Sequence, residues 1–83
     1  MKVQVRYFAS LREALGAQQS LDMPAGSSVG ALREALAASS PRHAEVLARG
    51  RAVRCALGQQ LCEESTPLVD GAEVAFFPPV TGG

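Results

Sequence analysis

Lys2-Val3-Gln4-Val5-Arg6-Tyr7-Phe8 runs without a linker into Ala9-Ser10-Leu11-Arg12-Glu13. In the first seven residues Val3, Val5 and Tyr7 alternate with Gln4, Arg6 and Phe8, the period of two of a strand with one buried face. Ser10-Leu11-Arg12-Glu13 has the form of a capping box: the Ser10 hydroxyl serves a free amide of the first turn while Glu13 reaches back. Leu11 and Leu15 then share one helical face, and Gly16 suits a left-handed stop. The chain therefore opens with a strand that passes directly into a short helix.

Working outward, residues 18–23 read as a weaker second strand carrying Leu21 and Met23. Pro24-Ala25-Gly26-Ser27 is a turn. Ser27 or Ser28 caps a second helix, in which Val29, Leu32 and Leu36 follow the spacing of a buried stripe. That helix stops near Ser39-Ser40-Pro41, and Pro41 fits the first position of another short helical stretch closed by Gly50. Residues 52–57 and 60–63 flank Gly58-Gln59 as a hairpin, and glycine at the first turn position predicts a type II′ turn. This register sets Leu57 opposite Gln60 and Cys55 opposite Cys62. Val69-Asp70-Gly71 turns the chain into a last strand, 73–77, ended by Pro78-Pro79, which donate nothing to a ladder. The order predicts an α+β fold: a mixed sheet packed on one main helix with additional short helices. The expected organisation is one domain over residues 1–78 and a flexible C-terminal tail over 79–83.

Composition bounds the function. A chain of 83 residues buries roughly 60–65% of its unfolded surface, enough for one modest core and no second lobe. Formal net charge is zero, which argues against nucleic acid or an anionic membrane as partner. Arg42, Arg49, Arg51 and Arg54 crowd one stretch and Glu63, Glu64, Asp70 and Glu73 the next. They read as solvated surface, with a contribution to docking as the alternative. No apolar run approaches the roughly 18–20 residues that span a bilayer, and the N-terminal stretch reads as a strand rather than a signal peptide. The expected compartment is the cytoplasm.

Chemistry inside the domain is sparse. Two cysteines, Cys55 and Cys62, are too few for a disulfide scaffold, a four-thiolate metal site or an iron–sulfur cluster. Cys55 shares strand parity with Val53 and Leu57, so it reads as a small core hydrophobe, and a working disulfide with Cys62 stays open. His43, alone in a helical stretch, reads as a surface residue with no nucleophile to serve. Neither a phosphate-binding glycine loop nor Gly-x-Ser-x-Gly occurs. The expectation is a protein that is no enzyme on its own, with no metal site.

The end of the chain, Phe76-Phe77-Pro78-Pro79-Val80-Thr81-Gly82-Gly83, is the informative segment. Two prolines fix φ and direct the last residues along an extended path. Two glycines then present no side chain, so they fit a channel too narrow for any Cβ, with the Gly83 carboxylate open to attack. Ordering such a segment costs on the order of 1–2 kcal/mol per residue, which a partner must offset through contacts along it. Strand parity adds a second clue. If Val74 and Phe76 face the core, Phe77 faces out; by the same rule Phe8 and Leu61 lie on the outer sheet face. Burying each is worth roughly 1.5–3 kcal/mol, so a wet Phe8, Leu61 and Phe77 read as covered by another protein; the alternative is that the local helix or loop covers Phe8 and that Leu61 is simply exposed.

On these residues the chain resembles the small subunits of molybdopterin synthase, a family of ubiquitin-like sulfur carriers, over essentially its full length. The resemblance is carried by Arg6-Tyr7-Phe8-Ala9 with Leu11-Arg12-Glu13, by Leu32-Arg33-Glu34-Ala35-Leu36, and above all by Asp70 through Phe77-Pro78-Pro79-Val80-Thr81-Gly82-Gly83. It implies a β-grasp (ubiquitin-like) fold and a cycle at the Gly83 carboxylate. An adenylyltransferase of the ubiquitin-activating type uses ATP with Mg to make an acyl-adenylate there, and a sulfurtransferase supplies sulfur to form a thiocarboxylate. The tail, Val80-Thr81-Gly82-Gly83, then enters the active site of the large subunit and gives sulfur to a cyclic pyranopterin phosphate, within a heterotetramer. The resemblance also implies no permanently bound cofactor, catalytic groups on the partner, and docking through Phe8, Leu61, Phe77, Pro78 and Pro79. Many members carry Asn-Gln at the hairpin turn where this chain has Gly58-Gln59. The alternatives are a ubiquitin-like protein modifier and a sulfur carrier for another pathway, such as thiamine synthesis or tRNA thiolation.

Overall fold

The computed structural model describes residues 1–79; the expectations for Val80, Thr81, Gly82 and Gly83 fall outside these residues. Strand β1 (Lys2–Tyr7) keeps the alternation of its sequence, with Val3, Val5 and Tyr7 buried and Lys2, Gln4 and Arg6 exposed. Helix α1 (Ala9–Leu15) comes at once. Then come β2 (Gln18–Asp22), α2 (Val29–Ser39), α3 (Pro41–Leu47), the hairpin β3 (Arg54–Leu57) and β4 (Gln60–Cys62), and β5 (Glu73–Phe77). The strands form one mixed sheet in the order β2-β1-β5-β3-β4. Only β1 and β5 run parallel among the described residues, with Val5 beside Val74 and Tyr7 beside Phe76. This is the expected α+β arrangement, with the sheet folded over α2.

The core forms between one sheet face and the helices. Val29, Leu32 and Leu36 of α2 are fully buried, as their spacing requires, against Val3, Val5, Val74 and Phe76. Ser28 caps α2 by accepting from the Ala31 amide at 3.1 Å. Ser40 caps α3 by accepting from the His43 amide at 3.0 Å, with Pro41 in the first turn where its missing N–H costs nothing.

Four local expectations need correction. The capping box is absent: Phe8, not Ser10, is the N-cap of α1, with no side-chain cap. The amides of Leu11 and Arg12 bond the Phe8 carbonyl instead, because Ala9 turns the chain sharply at φ +52°. Helix α3 ends at Leu47 with Ala48 as its cap, two residues short of Gly50. The hairpin strands pair as expected, Leu57 with Gln60 and Cys55 with Cys62. Their turn, however, has positive φ at both Gly58 (+56°) and Gln59 (+71°), the signature of type I′ rather than II′. Finally, His43 is not a free surface residue. It is half-buried, with Nδ1 at 2.7 Å from Ser40 Oγ and Nε2 at 2.9 Å from Gln19 Oε1. The Gln19 oxygen also accepts from the buried Tyr7 hydroxyl at 2.7 Å.

Arg33 is the one charged side chain buried among the described residues. Its guanidinium donates to the carbonyls of Leu47 (2.8 Å), Ala48 (2.7 Å) and Arg51 (2.8 Å) and to Glu64 Oε2 (2.7 Å). Two of those carbonyls, of Leu47 and Ala48, lie at the α3 C-terminus, where a cation also meets the negative end of the helix dipole. One side chain thus ties α2, the end of α3 and the segment after β4 together.

Candidate docking face

The sheet face opposite the core is assembled by the same alternation that builds the core. In β5, Val74 and Phe76 point inward, so Glu73, Ala75 and Phe77 point outward. Register carries this across the sheet: Arg6 pairs with Ala75, Ala75 with Ala56, and Ala56 with Leu61. One row across four strands is therefore small in the middle. Phe8 and Phe77 flank it, and a groove of about 380 Å³ opens over Ala56 and Ala75 between those rings, with Arg6 and Glu73 at its polar edge. The Arg6–Glu73 pair is 3.8 Å apart and half-exposed, a surface pair worth at most about 1 kcal/mol.

The position of Phe8 is dictated by the backbone. Its N–H donates to Phe76 O at 3.2 Å, extending the β1–β5 ladder by one residue. The turn at Ala9 then lifts the chain away, which leaves the Phe8 ring 44% exposed. Leu61 is 66% exposed on the same face, while Phe77, Pro78 and Pro79 are half-buried. Phe8 and Phe77 meet at the groove; Leu61 stands apart, over a second depression that it lines with Leu57, Cys62 and Thr66. Sequence reading named the aromatic walls and missed the floor, although parity at Ala56 and Ala75 carried that signal.

Among the described residues no group of three or more His, Cys, Asp or Glu side chains could hold a metal ion, and no helix is long and apolar enough to cross a membrane. Tyr7 sits on the core side, its phenol pushed up to about 12 by burial. The arrangement is an apolar surface beside the end of β5, where the chain passes into Pro78-Pro79.

Comparison with known proteins places these features in a context. The family model described as ThiS matches residues 5–83. The molybdopterin synthase sulfur carrier subunit of Escherichia coli is 44% identical, over 98% of this chain and 99% of the relative. The crystal structure of SAMP1 from Haloferax volcanii shares the fold with a TM-score of 0.82 at 24% identity, covering both chains completely. A protein–protein complex of subunits 1 and 2 of the molybdopterin-converting factor from Helicobacter pylori contains a chain with a TM-score of 0.70 and 27% identity, again over the whole of both chains.

Proposed function

Because the chain belongs to the ThiS family and has molybdopterin synthase sulfur carrier subunits among its full-length relatives, we propose that it is the sulfur-carrying small subunit of a molybdopterin synthase. The observation that carries this reading is the outer face: exposed Phe8 and Leu61 with half-buried Phe77 support a partner surface, and the sequence after it runs through Pro78-Pro79 to Gly82-Gly83. The likeness to a chain from a two-subunit converting-factor complex supports a large subunit as the partner.

In this reading the domain supplies recognition and the Gly83 carboxylate supplies the chemistry. A carboxylate oxygen is a poor leaving group. ATP, with Mg, is consumed by an adenylyltransferase of the ubiquitin-activating type, which turns Gly83 into an acyl-adenylate and releases pyrophosphate. A persulfide on a sulfurtransferase then displaces AMP to give an acyl disulfide, and a thiol reductant cleaves its S–S bond, leaving a thiocarboxylate that is nucleophilic at neutral pH. Val80, Thr81, Gly82 and Gly83 thread into the large subunit, where the thiocarboxylate gives its sulfur to a cyclic pyranopterin phosphate. Acid–base groups belong to the partner, and the chain is no enzyme by itself.

Removing Gly83 tests the division of labour. The deletion abolishes sulfur transfer, while melting temperature and co-purification with the large subunit through the Phe8–Phe77 face persist. A deletion variant that still supports molybdopterin formation contradicts the reading.

A further inference from the structure

The thiols of Cys55 and Cys62 face each other across β3 and β4, and the proposed sulfur cycle uses neither. The two residues are register partners. Cys62 Sγ donates to Cys55 Sγ at 3.6 Å, and Cys55 Sγ donates to the Cys62 carbonyl at 3.3 Å. Both are free. Antiparallel partners hold their Cα atoms about 4.5–5.5 Å apart, inside the range of about 4.4–6.8 Å that a disulfide spans. Joining the sulfurs therefore asks for side-chain rotation and little backbone movement. Access differs between the two. Cys55 is 6% exposed, whereas Cys62 is half-buried and lines an open depression of about 400 Å³ beside Leu61 and Thr66. Strand β4 pairs only with β3 among the described residues, so this is the sheet edge.

We propose that Cys62 and Cys55 form a dithiol modification site, in which Cys62 captures a low-molecular-weight disulfide and Cys55 closes the adduct into an intramolecular bond. In the first step the Cys62 thiolate attacks one sulfur of the small disulfide. Its S–S bond breaks, and one thiolate leaves and takes up a proton. In the second step the Cys55 thiolate attacks the Cys62 sulfur and displaces the second small thiolate. Two protein S–H groups are oxidised to one disulfide, and the small disulfide is reduced to two thiols. Burial first, then the neighbouring Cys62, pushes the Cys55 thiol up to about 12. Access sets the order of attack: half-buried Cys62 meets the small disulfide first, and buried Cys55 then reaches the Cys62 sulfur beside it. The new bond lies on the core side of the sheet, with Ala56 and Leu61 on the other, so it staples the hairpin behind the docking face without covering it.

The reduced full-length chain, incubated with glutathione disulfide, provides the test by intact mass and thiol alkylation. Wild type is expected to lose both alkylatable thiols, retain no glutathione, and yield a peptide linking residues 55 and 62, with melting rising by roughly 10 °C. Cys55→Ser traps one glutathione on Cys62. Two thiols that stay fully alkylatable in the wild type, or a glutathione that persists on it, overturn the proposal.

Discussion

The main-chain N–H of Phe8 donates to the carbonyl of Phe76 at 3.2 Å, which locks the residue that opens α1 beside the end of β5. This single bond explains how a phenylalanine next to a buried tyrosine comes to stand wet on the opposite face. It also sets the two walls of the outer groove, Phe8 and Phe77, on adjacent parallel strands.

Phe8→Ala and Phe77→Ala are expected to weaken binding of the large subunit by about 10- to 100-fold each, the cost of truncating an aromatic anchor at an interface. Phe8→Ala lowers the melting temperature by only a few degrees, because the residue is 44% exposed. Phe77→Ala weakens binding more than stability. Calorimetry on purified subunits checks both. An unchanged binding constant for either contradicts the assignment of this face.

Arg33→Ala strips one ligand from three carbonyls and leaves Glu64 without its partner. Breaking a buried, hydrogen-bonded charge network costs about 3 kcal/mol or more, a fall of more than roughly 10 °C in melting for a domain of this size. Arg33→Lys recovers only a part, since a point ammonium cannot replace a planar fork of donors. Urea unfolding of the two variants gives the comparison, and full recovery by lysine argues against the network.

Stability is expected to fall on the alkaline side. The Tyr7 phenol rises from 10.0 to about 12 and the Cys55 thiol from 9.0 to about 12, each chiefly through burial. In both cases the unfolded chain loses its proton first. The stabilisation is therefore complete below the unfolded values and drains away as pH climbs through 9 toward about 12. For Tyr7 alone this amounts to roughly 2–3 kcal/mol at 1.36 kcal/mol per unit. Chemical denaturation under reductant from neutral to strongly alkaline pH measures the slope, and Tyr7→Phe flattens it.

The hairpin turn offers a small gain. Gln59 holds φ +71°, a conformation that costs a non-glycine residue about 1–2 kcal/mol. Gln59→Gly removes that strain at some expense in unfolded-chain entropy, for a net stabilisation of about 0.5–1 kcal/mol in thermal melts. A destabilised variant contradicts the type I′ geometry.

The sequence carried the periodic information well and the non-local information poorly. Val3, Val5 and Tyr7, the stripe Val29-Leu32-Leu36 and the bounds of β5 were legible because burial imposes a period on each. The pairing of Cys55 with Cys62 came from hairpin length alone. Ser10 misled because a capping box describes only four residues, whereas the start of α1 is fixed by the long-range bond from Phe8 to Phe76. Arg33 gave no local sign of burial, since its four acceptors come from Leu47, Ala48, Arg51 and Glu64. His43 likewise meets Gln19 only once β2 and α3 are folded. At the docking face Phe8, Leu61 and Phe77 were read from parity, while the groove between the rings depends on the register of Ala56 with Ala75.

Intact-mass analysis of the chain after incubation with its activating enzyme, ATP with Mg and a sulfur source tests the central claim most directly. The account predicts replacement of one oxygen by sulfur, mapped to Gly83 in the C-terminal peptide. A chain whose Gly83 carboxylate keeps its oxygen under these conditions, or is consumed in amide bonds to lysine, contradicts it.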